Sequence, residues 1–177
     1  MILIALTGAA TSGKGIVSKR LAQRHDFHAC RFAEPIKQML GQGLGLTHEQ
    51  IDGREKALPM ERFGGLTPRH LMQTLGTEWG RRMVHSDLWI NLWKEKLPGM
   101  GDLVVVDDLR FPNEAMAVRQ MGGIIWRVIR PGVPVSDHPS ERLQAEISVD
   151  ATLLNTSSIG ALCGLVDAEV QKALNRA

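Results

Sequence analysis

The chain is short of the residue types that announce many chemistries. Of its 177 residues only two are cysteine, Cys30 and Cys163, and no CxxC occurs. That leaves no disulfide framework and predicts two buried thiols in a reducing compartment. There is no Cys/His cluster with metal-ligand spacing and no G-x-S-x-G, so zinc chemistry and serine hydrolysis lack support. No apolar run approaches the roughly 18 residues that span a bilayer. The first residues, MILIALTGAA, lack the basic flank and the length of a signal peptide, so a cytoplasmic location without a membrane partner is expected. Charge of one sign is also missing: 21 Lys and Arg against 19 Asp and Glu leave +2. Such balance argues against a nucleic-acid polymer as partner, and the basic residues must act locally. Tyrosine is absent, although four tryptophans are present.

What is present is ordinary for a soluble globular protein, with 44% hydrophobic and 23% charged residues. The length suits one domain, residues 1–177, with room for a small insertion. Short apolar runs predict strands at 2–7, 28–33, 102–108, 123–130 and 149–155. Helical spacing follows Gly13, Pro35, Pro68, Ser86, Pro112 and Ser158. The stretch that begins at Pro68 reads as one helix of about four turns, despite two glycines. Leu88, Leu92 and Trp93 would share a face of the next helix. Residues 45–66, mixed in Gly, Pro and charge, read as a mobile segment with one short helix. Strands alternating with helices predict an α/β fold, a five-stranded parallel sheet with helices on both faces. Residues 35–98 would be a helical insertion, and the proline-bearing 131–145 a short lid-like segment.

Two constellations carry chemistry. GAATSGKG, from Gly8 to Gly15, holds the G-x-x-x-x-G-K core of a phosphate-cradling loop between an apolar strand and a helix, the context that motif requires. Glycines let backbone N–H groups turn inward, the helix N-terminus adds partial positive charge, and Lys14 supplies a point charge for outer phosphates. Gly15 stands where such loops usually place Ser or Thr, and Ile16 offers no hydroxyl either. The second constellation is DDLRFPNE, at the end of the most apolar strand. Asp107 or Asp108 there could hold Mg²⁺ directly or through its waters, and Arg110 would stand near any phosphate at that edge. Glu114 fits a first-turn acid favoured by the helix dipole as well as a functional one.

Further positive charge comes from Arg69, Arg81, Arg82, Arg127 and Arg130. Each alone suits a solvated surface, whereas phosphoryl transfer needs such groups around both phosphates. Arg127 and Arg130 flank a strand end beside the lid, where groups that arrive on closure belong. Trp79 and Trp89 could stack on a base or simply fill a core. His138 and Ser140 could act in the lid or cap a helix.

Taken in order, GAATSGKG, FAEPIK (32–37), PRHLMQTLGTEW (68–79), DLW (87–89), DDLRFPNE (107–114), HPSE (138–141) and the final strand with Asn155 resemble the phage deoxynucleoside monophosphate kinases. The resemblance covers nearly the whole chain, and the GTE and DD-x-RF-x-NE pieces are its most specific parts. It implies the P-loop nucleoside-monophosphate-kinase fold, with ATP as phosphoryl donor, Mg²⁺, and a deoxynucleoside monophosphate as acceptor. Gly8, Ala10, Thr11, Ser12, Gly13, Lys14 and Gly15, with Asn155, resemble the ATP site. Lys37, Arg69, Gln73, Gly76, Thr77, Trp89, Asp108, Arg110 and Glu114 resemble the substrate-binding positions. Lys14, Asp108, Arg110 and Arg130 are the implied catalytic residues, with Asp107 acting on the metal through water. Residues from Arg130 to Glu141 resemble the lid. Members often carry Asp after the loop lysine, a pattern from which Gly15 also departs. Host cytoplasm and a homodimer are further implications. Rival readings are another small P-loop kinase, for dephospho-coenzyme A or phosphomevalonate, and a regulatory module that binds ATP without transfer. Lys37, Arg69 and Arg110 argue against the module, and the tryptophans for a base-bearing acceptor.

Overall fold

The computed structural model describes residues 1–133 and 143–175. The chain divides into two compact units, Met1–Arg31 with Lys94–Ala177, and Phe32–Trp93.

The first unit is built on five strands, β1 (Ile2–Thr7), β2 (His28–Ala29), β3 (Leu103–Val106), β4 (Ile124–Ile129) and β5 (Ala151–Leu154). Their order is β2-β3-β1-β4-β5, and every pairing is parallel. Parallel neighbours need crossover connections, and helices α1 (Lys14–His25), α6 (Pro112–Gln120) and α7 (Ile159–Leu174) run between or after the strands. One face of the sheet, with Ile4, Leu6, Val105, Trp126, Val128 and Leu153, packs against Val17 and Leu21 of α1 and Leu162, Val166 and Val170 of α7. Each such large side chain contributes about 1.5–3 kcal/mol by leaving water. Leu3 alternates to the opposite face, where it and Val118 of α6 both crowd Gly123. Helices therefore cover both faces, as the continuous apolar strands require. Because β1 lies between β3 and β4, the loop leaving its C-terminal end sits where the strand order reverses. Open parallel sheets bind ligands at that place.

Two details of this unit depart from expectation. Strand β2 is two residues long rather than spanning 28–33. Phe32, 2% exposed, packs its ring 4.7 Å from that of Trp93, and this burial draws the chain out of the sheet. Cys30 is buried as expected, but Cys163 is partly exposed, being set on α7 just beside the buried stripe of Leu162 and Val166.

The second unit holds no strand. It comprises α2 (Glu34–Leu44), α3 (His48–Ile51), short 3₁₀ turns at Arg54–Ala57 and Glu61–Phe63, α4 (Pro68–Gln73), and most of α5 (Leu88–Lys96). α2 runs through Gly41 and Gly43 and stops only at Gly45, whose φ of 62° is left-handed. The stretch expected to be mobile is packed instead: Leu46, Ile51 and Met60 join Ile36, Leu40 and Trp89 in one core. Thr47 and Gln50 cap α3 reciprocally. The helix begun at Pro68 does not keep one pitch. Over Thr74–Val84 it widens to π-type turns, and His85 N–H reaches back five residues to the Gly80 carbonyl at 3.0 Å. In α5 the buried stripe is Trp89, Ile90 and Trp93, while Leu92 is 38% exposed. The two indoles, four residues apart, fix that stripe because they bury the most surface.

Candidate active site

The loop after β1 is held by three backbone positions that few residues could occupy. Gly8 has φ 135°, and a Cβ there would fall 2.3 Å from the Val128 carbonyl oxygen. Thr11 is left-handed, with φ 62°. Gly13 has φ 115°, and its Cβ would meet the Asn155 amide at 2.7 Å. Asn155, just past β5, donates through Nδ2 to the Ser12 carbonyl at 2.9 Å and so ties the loop to that strand. Lys14 Nζ donates to the carbonyls of Gly8 and Ala9 at 2.6 and 2.8 Å, bracing the loop from within. The hydroxyls of Thr7 and Ser12 are buried with no hydrogen-bond partner among the described residues. No acid stands in the first turn of α1, so that turn itself does not offset the positive end of the helix. Gly15 is exposed, and a Cβ there would meet nothing within 4 Å. The arrangement is a concave, positively biased cradle for an anion such as a polyphosphate.

Asp107 and Asp108 follow β3. Asp107 is gripped by a residue that sequence reasoning missed: Arg31 donates from Nε and Nη2 to its two carboxylate oxygens at 2.7 and 3.0 Å. A signal for it exists in the register. His28 pairs with Val104 and Ala29 with Val105, so the same parallel offset, continued by two residues, sets Arg31 opposite Asp107. Asp108 and Arg110 are partly buried beside this pair in the chain. Glu114, 2% exposed, accepts through one carboxylate oxygen from the backbone N–H groups of Arg110 and Phe111 at 2.7 and 3.0 Å. The buried acid shapes the turn that carries Arg110.

In the second unit Lys37 pairs with Asp52 at 2.7 Å. Both lie in a shallow groove of about 270 Å³ with Glu34, Gln38, His48 and Ile51. Arg69 and Gln73 are exposed on α4, Thr77 is partly buried, and Gly76 is buried. Trp89 is 2% exposed, donates its indole N–H to the Gly76 carbonyl at 2.7 Å, and presses on Gly80. Its ring belongs to the core that holds Ile36, Leu40 and Met60. Trp79 is 38% exposed, with its ring centre 6.3 Å from that of Trp89. Arg81 donates to the Ser86 carbonyl and Arg82 pairs with Glu78.

Arg127 is tied to backbone carbonyls. Its Nη2 donates to the carbonyls of Gln144 and Ile147 at 2.9 and 2.6 Å, securing the chain that leads into β5. Arg130 is exposed just past β4. Most of the lid-like segment, residues 134–142 with His138, Ser140 and Glu141, lies outside the described residues. Among the described residues, no group of three or more His, Cys, Asp or Glu could hold a metal, and no helix is long and apolar enough to cross a membrane.

A phosphate cradle on the central strand, at the reversal point of a parallel 2-3-1-4-5 sheet, defines a P-loop kinase fold. Solved structures share it: shikimate kinase from Aquifex aeolicus has a TM-score of 0.51 at 14% identity over 99% of both chains. The protein TT1252 from Thermus thermophilus has 0.50 at 14% identity over 97% of both. The family described as deoxynucleotide monophosphate kinase matches residues 66–165. A protein of Acanthamoeba polyphaga mimivirus, provisionally named deoxynucleotide monophosphate kinase, is 34% identical across 90% of this chain and 91% of its own. The deoxynucleoside-5′-monophosphate kinase of Escherichia phage T5 is 33% identical across 43% of this chain and 34% of its own. The chain belongs to the deoxynucleotide monophosphate kinase family, and it is an enzyme.

Proposed function

We propose that the protein transfers the γ-phosphoryl group of ATP to a deoxynucleoside 5′-monophosphate, giving ADP and a deoxynucleoside diphosphate for DNA precursor synthesis. The observation that carries this reading is the cradle of Gly8–Lys14 on β1, with Lys14 already drawn across it. Phosphoryl transfer asks little covalent chemistry of a protein; positioning and charge stabilisation do most of it. Lys14 would exchange two carbonyl partners for phosphate oxygens, while loop N–H groups and the α1 N-terminus hold the rest of the triphosphate. Asn155 and the glycines keep that cradle open to a phosphate by fixing its backbone.

The residues present fit Mg²⁺ held largely by phosphate oxygens and water. Gly15 brings no hydroxyl into its open space, and the Asp107 carboxylate is already engaged by Arg31, which suits contact through water. Bound there, the ion would neutralise phosphate charge. We assign acceptor binding to Lys37, Arg69, Gln73, Gly76 and Thr77, with residues 35–98 as the monophosphate-binding insertion, and a substrate-binding role to Asp108 and Arg110 after β3. Trp79 keeps an open ring for a base. Arg130 and residues 131–145 would serve as the lid. The resemblance further supports a homodimer, and the phage T5 relative supports work in a host cytoplasm.

The test is ADP release by a coupled assay, without acceptor and with each deoxynucleoside and ribonucleoside monophosphate. Release that depends on a deoxynucleoside monophosphate is expected. Release unchanged by every monophosphate, or driven only by dephospho-coenzyme A or phosphomevalonate, would refute the reading.

A further inference from the structure

Asp52 lies outside the 66–165 stretch that the family matches and outside every motif that carries the resemblance. Its partner Lys37 is the fourth residue of α2, near the end where the helix dipole disfavours a cation. Helix stability therefore does not explain the lysine there. The Lys37 side chain is 14% exposed and that of Asp52 37%. The cation is the more withdrawn partner and needs an anion beside it. The acid is held differently. Ile51 next to it is buried in the helical core, and the Asp52 N–H closes α3 on the His48 carbonyl at 2.8 Å. Its backbone is thus fixed, while the carboxylate stays in reach of water and can turn out into solvent at small cost.

We propose that Asp52 is a positioning residue that serves Lys37 as an internal counter-ion until the phosphate of the acceptor monophosphate takes its place. This rests on the phosphoryl-transfer reading above, which assigns Lys37 to the acceptor. The exchange favours the ligand on two counts. A phosphate monoester carries roughly two negative charges at neutral pH, against one on the carboxylate. A pair with a partly exposed acid is also worth little, so releasing it costs little. The acid must leave as the phosphate arrives, because two anions beside one ammonium repel each other. Asp52 therefore lowers acceptor affinity by the strength of its own pair with Lys37, within the groove of about 270 Å³ that both line.

Calorimetric titration with each common deoxynucleoside monophosphate tests this as a double-mutant cycle. Asp52→Asn keeps an oxygen for the ammonium and removes only the charge. It should tighten binding by about fivefold, the upper range for such a pair. In a Lys37→Met background the same change should leave affinity unaltered. A merely structural Asp52 would instead give weaker or unchanged binding on loss of its charge, and that result overturns the inference. Equal tightening with and without Lys37 also overturns it, since the acid would then act on the ligand directly. Should Lys37→Met bind too weakly to titrate, Glu34 of the same groove decides. Glu34→Gln should not reproduce the tightening, and if it does, the pair with Lys37 is not the cause and the inference fails. Should Asp52→Asn not melt cooperatively, Asp52→Ser takes its place in the cycle. Wild type that binds no deoxynucleoside monophosphate defeats the functional reading and this inference with it, whereas normal binding with a contrary cycle defeats only the role of Asp52.

Discussion

In the sheet unit Gly8 lets backbone approach backbone, whereas in the helical unit Gly80 lets an indole approach a helix. Gly8 sits where a Cβ would strike the Val128 carbonyl of a neighbouring strand, at a φ of 135° that other residues rarely adopt. Gly80 sits where a Cβ would strike the Trp89 ring at 2.4 Å. The first obstacle belongs to the sheet ladder and cannot yield. The second is a side chain that can shift within a packed core. So the loop tolerates one residue type for two reasons at once, and the widened helix for one.

That contrast can be broken in a definite order. Gly8→Ala should have the largest effect, because it combines a forbidden contact with a strained φ. We expect loss of the cooperative melt or of soluble protein; a variant that melts within a few degrees of wild type would refute the rigidity ascribed to the loop. Gly80→Ala should follow, with a cost of about 1–3 kcal/mol from overpacking. Its signature is altered tryptophan fluorescence with ATP binding retained, and lost ATP binding without a stability change would contradict the assignment of Trp89 to the core.

Smaller is the link between α1 and α7, where Asp167 of α7 accepts from Arg20 at 2.9 and 2.5 Å and from His25 of α1 at 2.7 Å. These partners, Arg20 first, hold the Asp167 carboxyl well below the usual carboxylate range. A depressed acid stabilises above its unfolded value, about 3.9, and the contribution fades as pH falls through the folded one. Because both Asp167 and Arg20 are about one-third exposed, the effect is screened and modest. Asp167→Asn should lower the melting temperature by a few degrees at neutral pH, and the gap should narrow steadily below the carboxylate range. A gap that is constant with pH would show that charge is not its cause. The smallest effect is expected of Gly15→Ser, since its side chain enters open space. The Mg²⁺ dependence of kcat should stay nearly unchanged, and a sharply lowered Mg²⁺ requirement would show that the loop lacks a ligand it needs.

Legibility followed the same divide. The sheet unit could be read because burial on both faces leaves continuous apolar runs, as in LVVV and ILIALT, and because the loop glycines answer a local backbone demand. The helical unit hid what depends on packing. No local signal distinguishes the π-type turns of Thr74–Val84 from an ordinary helix, and Trp89, which packs on Gly80 within them, comes from a later segment. Whether Trp89 is buried could not be read, because an exposed and a buried indole look alike in sequence. The partners of Glu114 and Arg127 were hidden for a related reason: they are backbone groups, three or four residues away for one and about twenty for the other. Arg31 was recoverable only through strand register, which must be known before the pairing can be counted.

The central claim is that the Lys14 cradle passes a phosphoryl group to a deoxynucleoside monophosphate. The most direct test follows γ-phosphate-labelled ATP incubated with a mixture of deoxynucleoside monophosphates, using wild type and Lys14→Ala. Lys14 faces charge that grows on the transferring group, so its loss should slow the reaction by about a hundredfold or more. Label is expected in deoxynucleoside diphosphate with wild type, and almost none with a Lys14→Ala protein that melts normally. Label appearing only as inorganic phosphate, at one rate with or without acceptor, would contradict it.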